Sequence, residues 1–142
     1  MILSEASARL WAMPRVVHFE IQADDPSRAQ AFYTEVFGWR FDDYSQAVGL
    51  PYWGVITGDD AVPGINGGLT PRPAPAAESP GANAFVCTIG VDEYDACESR
   101  ILRAGGQVAL AKYPLPGTAW QGYYLDTEGN TFGIHQPDEN AR

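Results

Sequence analysis

DDPSRAQAFYTEVFG (residues 24–38) and VDEYDACESRILRAG (residues 91–105) are the stretches that decide the fold. In the first, Asp25 offers a capping side chain, and Pro26 sits where a missing N–H costs a helix nothing. Ala29, Phe32, Tyr33, Val36 and Phe37 recur at the spacing of one helix face. Gly38 supplies the left-handed residue on which helices commonly end. In the second, Asp92 opens, Tyr94, Cys97, Ile101 and Leu102 mark the apolar stripe, and Gly105 closes. The opening aspartates and the closing glycines both lie 67 residues apart (25 to 92, 38 to 105). The same shift carries Ala29 to Ala96, Trp53 to Trp120 and Asp59 to Asp126. A constant shift through helix, strands and turns marks a duplicated unit.

Outward from the helices, each half reads as one strand, the helix, then three strands. The expected strands are 16–23, 39–44, 52–57 and 64–69 in the first half, and 84–90, 107–113, 120–126 and 131–136 in the second. DTEGN at 126–130 is a turn signal between the last two. The segment 70–81 is rich in proline and alanine and reads as a linker. Neither half alone covers both faces of its sheet, so the two are expected to associate. The expected class is α+β, two tandem βαβββ modules fused in one domain. Residues 1–12 form an N-terminal arm, 13–70 the first module, 71–82 the linker and 83–142 the second module.

The bulk properties narrow the function classes. Hydrophobic residues make up 45% of the 142, enough for a core, and no apolar run approaches the roughly 18–20 residues of a membrane span. Nine basic residues against eighteen acidic ones give a net charge of −9. The basic residues are scattered, which disfavours nucleic acid, whereas an acidic surface attracts cations or simply keeps the protein in solution. Cys87 and Cys97 read as reduced thiols, and the start of the chain lacks the features of a secretory signal. The expected location is cytoplasmic.

HFEIQADDPSRAQAFYTEVFGW (18–39), VDEYDACESRILRAGGQV (91–108) and DTEGNTFGIHQ (126–136) together resemble the vicinal oxygen chelate superfamily, which groups glyoxalases, bleomycin resistance proteins and dioxygenases. The resemblance implies a curved mixed sheet around a cleft, a small-molecule ligand and a homodimer. It also implies four metal-ligand positions, on the first and last strand of each module. In this chain those positions hold His18, Asn66, Phe85 and Gly133. One good donor in four does not retain a divalent ion, so no metal cofactor is expected. The alternative is a relocated divalent metal on His18, Glu20 and His135.

Strand alternation places Val17, Phe19 and Ile21 under the helix, and His18, Glu20 and Gln22 toward the cleft. The shift of 67 sends Phe85, Cys87 and Ile89 to the same side. Trp53, Trp120, Tyr52, Tyr123 and Tyr124 are nearby rings that either line a pocket or fill the core. The expected ligand-binding set is His18, Glu20, Gln22, Trp53, Asn66, Phe85, Cys87, Trp120, Tyr123 and His135. The expected function is binding of a small organic ligand, aromatic compounds included, without the family metal. The alternative is a lyase- or isomerase-like enzyme in which His18 and Glu20 transfer protons, or in which a relocated metal acts.

Overall fold

In the computed structural model, which describes residues 15–75 and 85–142, Asp25 caps helix α1 (Pro26–Phe37) by accepting the Arg28 N–H at 3.2 Å. Gly38 ends the helix with φ of 73°, a conformation open to glycine at no steric cost. Around α1 lie β1 (Glu20–Ala23), β2 (Arg40–Asp43), β3 (Trp53–Ile56) and β4 (Gly67–Pro71). A four-residue helix that the sequence reading did not expect, α2 (Ser45–Val48), joins β2 to β3. The second half holds β5 (Thr88–Gly90), α3 (Tyr94–Arg103), β6 (Gln107–Leu115), β7 (Ala119–Leu125) and β8 (Thr131–Pro137).

The two halves share one topology. The first sheet has the order β1-β4-β3-β2 and the second β5-β8-β7-β6. In each, the first and last strands run parallel and the other pairs antiparallel. The parallel pair is what requires a helical crossover. The chain is therefore α+β, built from two four-stranded mixed sheets. The arm expected at residues 1–12, residues 76–82 of the linker, and residues 83 and 84 of the second module lie outside the described residues.

The single shift of 67 does not survive the folding. Glu93, not Asp92, is the N-cap of α3, and its side chain makes no cap bond. Gln136 Oε1, on β8, accepts the Tyr94 N–H at 2.6 Å instead. The buried stripes consequently align Ala29 with Cys97 and Tyr33 with Ile101, a shift of 68. In the parallel ladders Glu20 pairs with Gly68, and Thr88 with Gly133. The last strand is thus displaced by 65. Loop length is the cause: residues 57–66 connect β3 to β4, and only 126–130 connect β7 to β8.

The helix-facing sides of both sheets merge into one core. Ile21, Ala23, Val55 and Leu69 from the first sheet and Tyr124, Phe132 and Ile134 from the second are all buried in it with the helix stripes. Phe132 stands 6.0 Å from Phe32 and 5.9 Å from Phe37, so an α1 ring packs on a β8 ring across the halves. Burying such a ring contributes about 1.5–3 kcal/mol. Polar groups complete the seam. Tyr33 donates to Asp126 at 2.6 Å, and Arg28 donates to both Glu128 oxygens at 2.7 and 2.9 Å. Arg72 donates to Gln22 O, Glu128 O and Asn130 Oδ1 at 3.2, 2.9 and 2.9 Å. The segment that reads as a turn signal in the sequence also docks one half on the other.

Candidate functional site

Pairing and alternation define the open face of the first sheet. Ile21 and Val55 are buried, so their neighbours Glu20 and Gly54 point the other way. Register then gives one row across all four strands: Glu20 pairs with Gly68, Gly68 with Gly54, and Gly54 with Asp42. A carboxylate stands at each end of the row and two glycines form its floor. Tyr52 and Tyr44 lie over the glycines. A Cβ on Gly68 would overlap the Tyr52 hydroxyl and sit 2.7 Å from Glu20 Oε2. One on Gly54 would sit 2.5 Å from the Tyr44 ring. Only glycine leaves room for both rings.

His18, Glu20 and Tyr52 meet at one end. His18 Nε2 is 3.2 Å from Glu20 Oε1 and 3.2 Å from the Tyr52 hydroxyl, which donates to Glu20 Oε1 at 3.3 Å. The side chains of His18 and Glu20 are 47% and 42% exposed, so a ligand reaches them directly. Burial first, and then the Glu20 charge, push the Tyr52 phenol above its ordinary range, and it stays a proton donor at neutral pH. Tyr52 is held by its own backbone. Ser45 Oγ accepts the Tyr52 N–H at 3.0 Å, and the Tyr44 N–H donates to Tyr52 O at 2.9 Å. Asp43 accepts the Ser45 N–H at 2.8 Å, and Ser45 holds the Asp43 carboxyl below its usual range. This fixed loop presents Tyr44, Val48 and Leu50, at 46%, 52% and 67% exposure, to solvent.

The open face of the second sheet is built alike and furnished differently. His135 Nδ1 and Gln121 Oε1 are 2.7 Å apart, so Nδ1 carries the proton toward the amide oxygen. Tyr123, Gln121 and Thr88 crowd Gly133, with atoms 2.9–3.0 Å from where its Cβ would stand. No described side chain on that strand trio carries a carboxylate toward this face.

The structure places the expected site residues unevenly. His18, Glu20 and Gln22 share the first face; Gln22 Oε1 is buried without a partner among the described residues. Tyr123 and His135 share the second face. Trp53 and Trp120 instead pack against the core on the helix side, and Trp120 Nε1 donates to Asp138 at 3.0 Å. Ile89 also packs on the core, and alternation sends Cys87 to its side, away from Thr88. Phe85 precedes β5 and is fully exposed. Asn66 accepts the Thr57 N–H at 2.9 Å inside the β3–β4 loop and lines a separate open depression of about 610 Å³ with Arg40, Asp59 and Asp60. Tyr52 is the member that the sequence reading left out of its binding set, although a tyrosine one residue before Trp53 takes the opposite face by alternation alone.

Among the described residues, the four positions at which the resemblance implies metal ligands do not converge on one point. Asn66 is committed to its loop, Phe85 has no donor, and the space beside Gly133 is filled by its neighbours. Among the described residues no group of three or more His, Cys, Asp or Glu converges, so His18, Glu20 and His135 are not brought together within one chain.

The chain is similar to known proteins in sequence and in fold. A family profile described as "Bleomycin resistance protein-like N-terminal" matches residues 15–47. CFP32, a protein with a provisional glyoxylase name from Mycobacterium tuberculosis and Mycobacterium bovis, is 29% identical over 122 residues, which is 85% of this chain. The chain spans about half the length of these relatives, 45% of CFP32. A glyoxalase/bleomycin resistance protein/dioxygenase family enzyme from Burkholderia phytofirmans superposes with a TM-score of 0.64 at 22% identity, covering 84% of this chain and 95% of that one. A point mutant of the fosfomycin resistance protein FosX from Listeria monocytogenes, complexed with Mn(II) and 1S,2S-dihydroxypropylphosphonic acid, superposes with a TM-score of 0.65 at 16% identity. The coverage there is 87% of this chain and 90% of that one.

Proposed function

We propose that the chain is a member of the vicinal oxygen chelate superfamily that binds a small organic molecule on the open face of its first sheet, without a divalent metal of the kind bound by the FosX mutant. The observation that carries this reading is the His18–Glu20–Tyr52 cluster above Gly68. A few fixed polar groups beside tyrosine rings are the composition of a small-ligand site. The donor chemistry at the inherited positions supports a metal-free site, because one histidine already engaged with a carboxylate and a phenol leaves a cation few partners.

The test is a thermal-shift and NMR screen of the protein, purified without chelator, against a broad library of small aromatic and aliphatic compounds. Hits whose shifts centre on residues 18–22, 44–54 and 68–70 are expected. A library without hits there overturns the reading. Elemental analysis of the same preparation is expected to give well under one transition-metal ion per chain; stoichiometric metal lost with His18→Ala overturns the metal-free part.

A second reading rests on the same cluster. An imidazole, a carboxylate and a phenol within 3.3 Å of one another can take a proton from a carbon next to a carbonyl and return it. Proton exchange into candidate carbonyl ligands, followed by NMR in deuterium oxide and abolished by His18→Ala and Glu20→Gln, is the signature of a lyase- or isomerase-like enzyme.

The partner expected alongside the ligand is a second copy of the chain. β6 is an outer strand, broken by register shifts, that leaves Val108 and Leu110 about half exposed. Such an edge invites covering. Sedimentation at micromolar concentration is expected to show a dimer, and a monomer there rejects it.

A further inference from the structure

We propose that the ligand of the first open face is an organic cation: a protonated amine on an apolar body, lying along the row Glu20–Gly68–Gly54–Asp42. This rests on the reading that this face is the binding site and adds the ligand's chemistry.

The row supplies the argument. Its two ends, on the outer strands β1 and β2, are carboxylates, and three strand spacings separate them by about 14 Å. Glu20 bonds through Oε1, and its Oε2 has no hydrogen-bond partner among the described residues. Asp42 has one cation near it, Arg40 at 3.8 Å, with the two side chains 71% and 41% exposed. So loose a pair is weak and easily displaced. Between the carboxylates the two glycines let the rings of Tyr52 and Tyr44 settle onto the sheet, so the floor is aromatic rather than aliphatic. A carboxylate beside tyrosine rings is a combination that favours an ammonium group, through charge and through the ring quadrupole. An anionic ligand would meet an acid at each end of the row, with the Arg40 guanidinium beside only one of them.

The rest of the ligand has a place as well. Val48 and Leu50 stand exposed on the loop that Ser45, Asp43 and the Thr70 hydroxyl tie down, the last by donating to Pro51 O at 3.2 Å. A fixed apolar lip needs little ordering when a hydrocarbon body covers it. The net charge of −9 steers a cation toward the protein and an anion away.

Three probes with one body and different heads test this: 4-phenylbutylamine, 4-phenylbutanol and 4-phenylbutanoate, titrated into the full chain by NMR at neutral pH. The amine is expected to bind at least ten-fold more tightly than the carboxylate, with shifts at residues 20, 42, 44, 52 and 68. Glu20→Gln is expected to remove most of the amine's advantage, and Asp42→Asn a smaller part. Leu50→Ser is expected to weaken all three probes alike. Both acids are half-exposed, so the variants keep their fold, which circular dichroism verifies. Equal affinities for the three heads, or an amine preference that survives both acid variants, overturns the proposal. If only neutral or anionic compounds bind at these residues, the cation assignment fails and the binding-face reading stands. If the probes and the broad library all leave the face unshifted, both fail.

Discussion

Two clusters in this chain place a tyrosine hydroxyl on a carboxylate beside a basic side chain, and they serve opposite ends. At the seam between the halves, Tyr33 donates to buried Asp126 at 2.6 Å, and Glu128, with a side chain shut off from solvent, accepts from Arg28, Asp25 N and Thr127. On the open face, Tyr52, His18 and Glu20 stand 3.2–3.3 Å apart and half in water. The seam's carboxylates have spent their bonding capacity inside the protein, and that is what makes them structural. The face's carboxylate keeps an oxygen open. Buried polar groups are satisfied or costly, so spare capacity persists only where water or a ligand can meet it.

The largest expected break falls on the seam. Glu128→Ala removes the acceptor for Arg28 and Asp25 N together, and is expected to cost about 3 kcal/mol in urea denaturation. Glu20→Ala in the same assay is expected to stay within about 0.5 kcal/mol.

Acid sharpens the contrast. Burial pulls the Glu128 carboxyl upward, but the Arg28 hydrogen bonds, the Asp25 N–H and Thr127 outweigh it and hold it down to about 2 from 4.5. A lowered folded value means stability that is present above 4.5 and drains away as pH falls toward 2, at about 1.4 kcal/mol per unit and roughly 3 kcal/mol in total. Asp126 works in the other sense. Burial raises its carboxyl against the pull of Tyr33, so its contribution is complete below 3.8 and shrinks as pH rises through its folded value. Urea midpoints between pH 7 and 3 are expected to fall steeply in the parent and to flatten in Glu128→Gln.

Tyr33→Phe, which takes a donor from buried Asp126, is expected to cost about 1–2 kcal/mol. Tyr52→Phe is expected to leave stability within about 0.5 kcal/mol and to weaken ligand binding instead. Gly68→Ala is expected to empty the site at a modest cost in stability. Its Cβ would overlap the Tyr52 hydroxyl, so the ring must leave at a cost of about 1 kcal/mol, and ligand shifts at residue 20 should vanish. A Gly68→Ala protein that still binds ligand would remove Tyr52 from the site.

Particular residues show where the sequence could be read and where it could not. The stripe of Ala29, Phe32, Tyr33 and Val36 and the cap at Asp25 are local, so both helices and the doubled strand–helix–three-strand order stand in the sequence as they do in the structure. Trp53 and Trp120 show the failure. The sequence offers them as rings that either line a pocket or fill the core, and they face the core while Tyr52 faces out. Side chains alternate along a strand, so one residue of slip exchanges the two faces. The first strand and helix of the two halves are related by 68 residues rather than 67, and that single residue puts Thr88 in place of Cys87 on the open face.

By itself the sequence determined the two helices, the repeated βαβββ order, the acidic balance and the scarcity of metal donors, because these follow from periodicity, caps and residue chemistry over short spans. Tertiary structure alone decided which tyrosine overlies Gly68, that His18 meets Glu20 and Tyr52 but not His135, and that a turn motif locks the halves together. Those outcomes depend on strand register and on groups up to 103 residues apart, as in the Asp25–Glu128 bond. Neither register nor long-range pairing has a local signature in the chain.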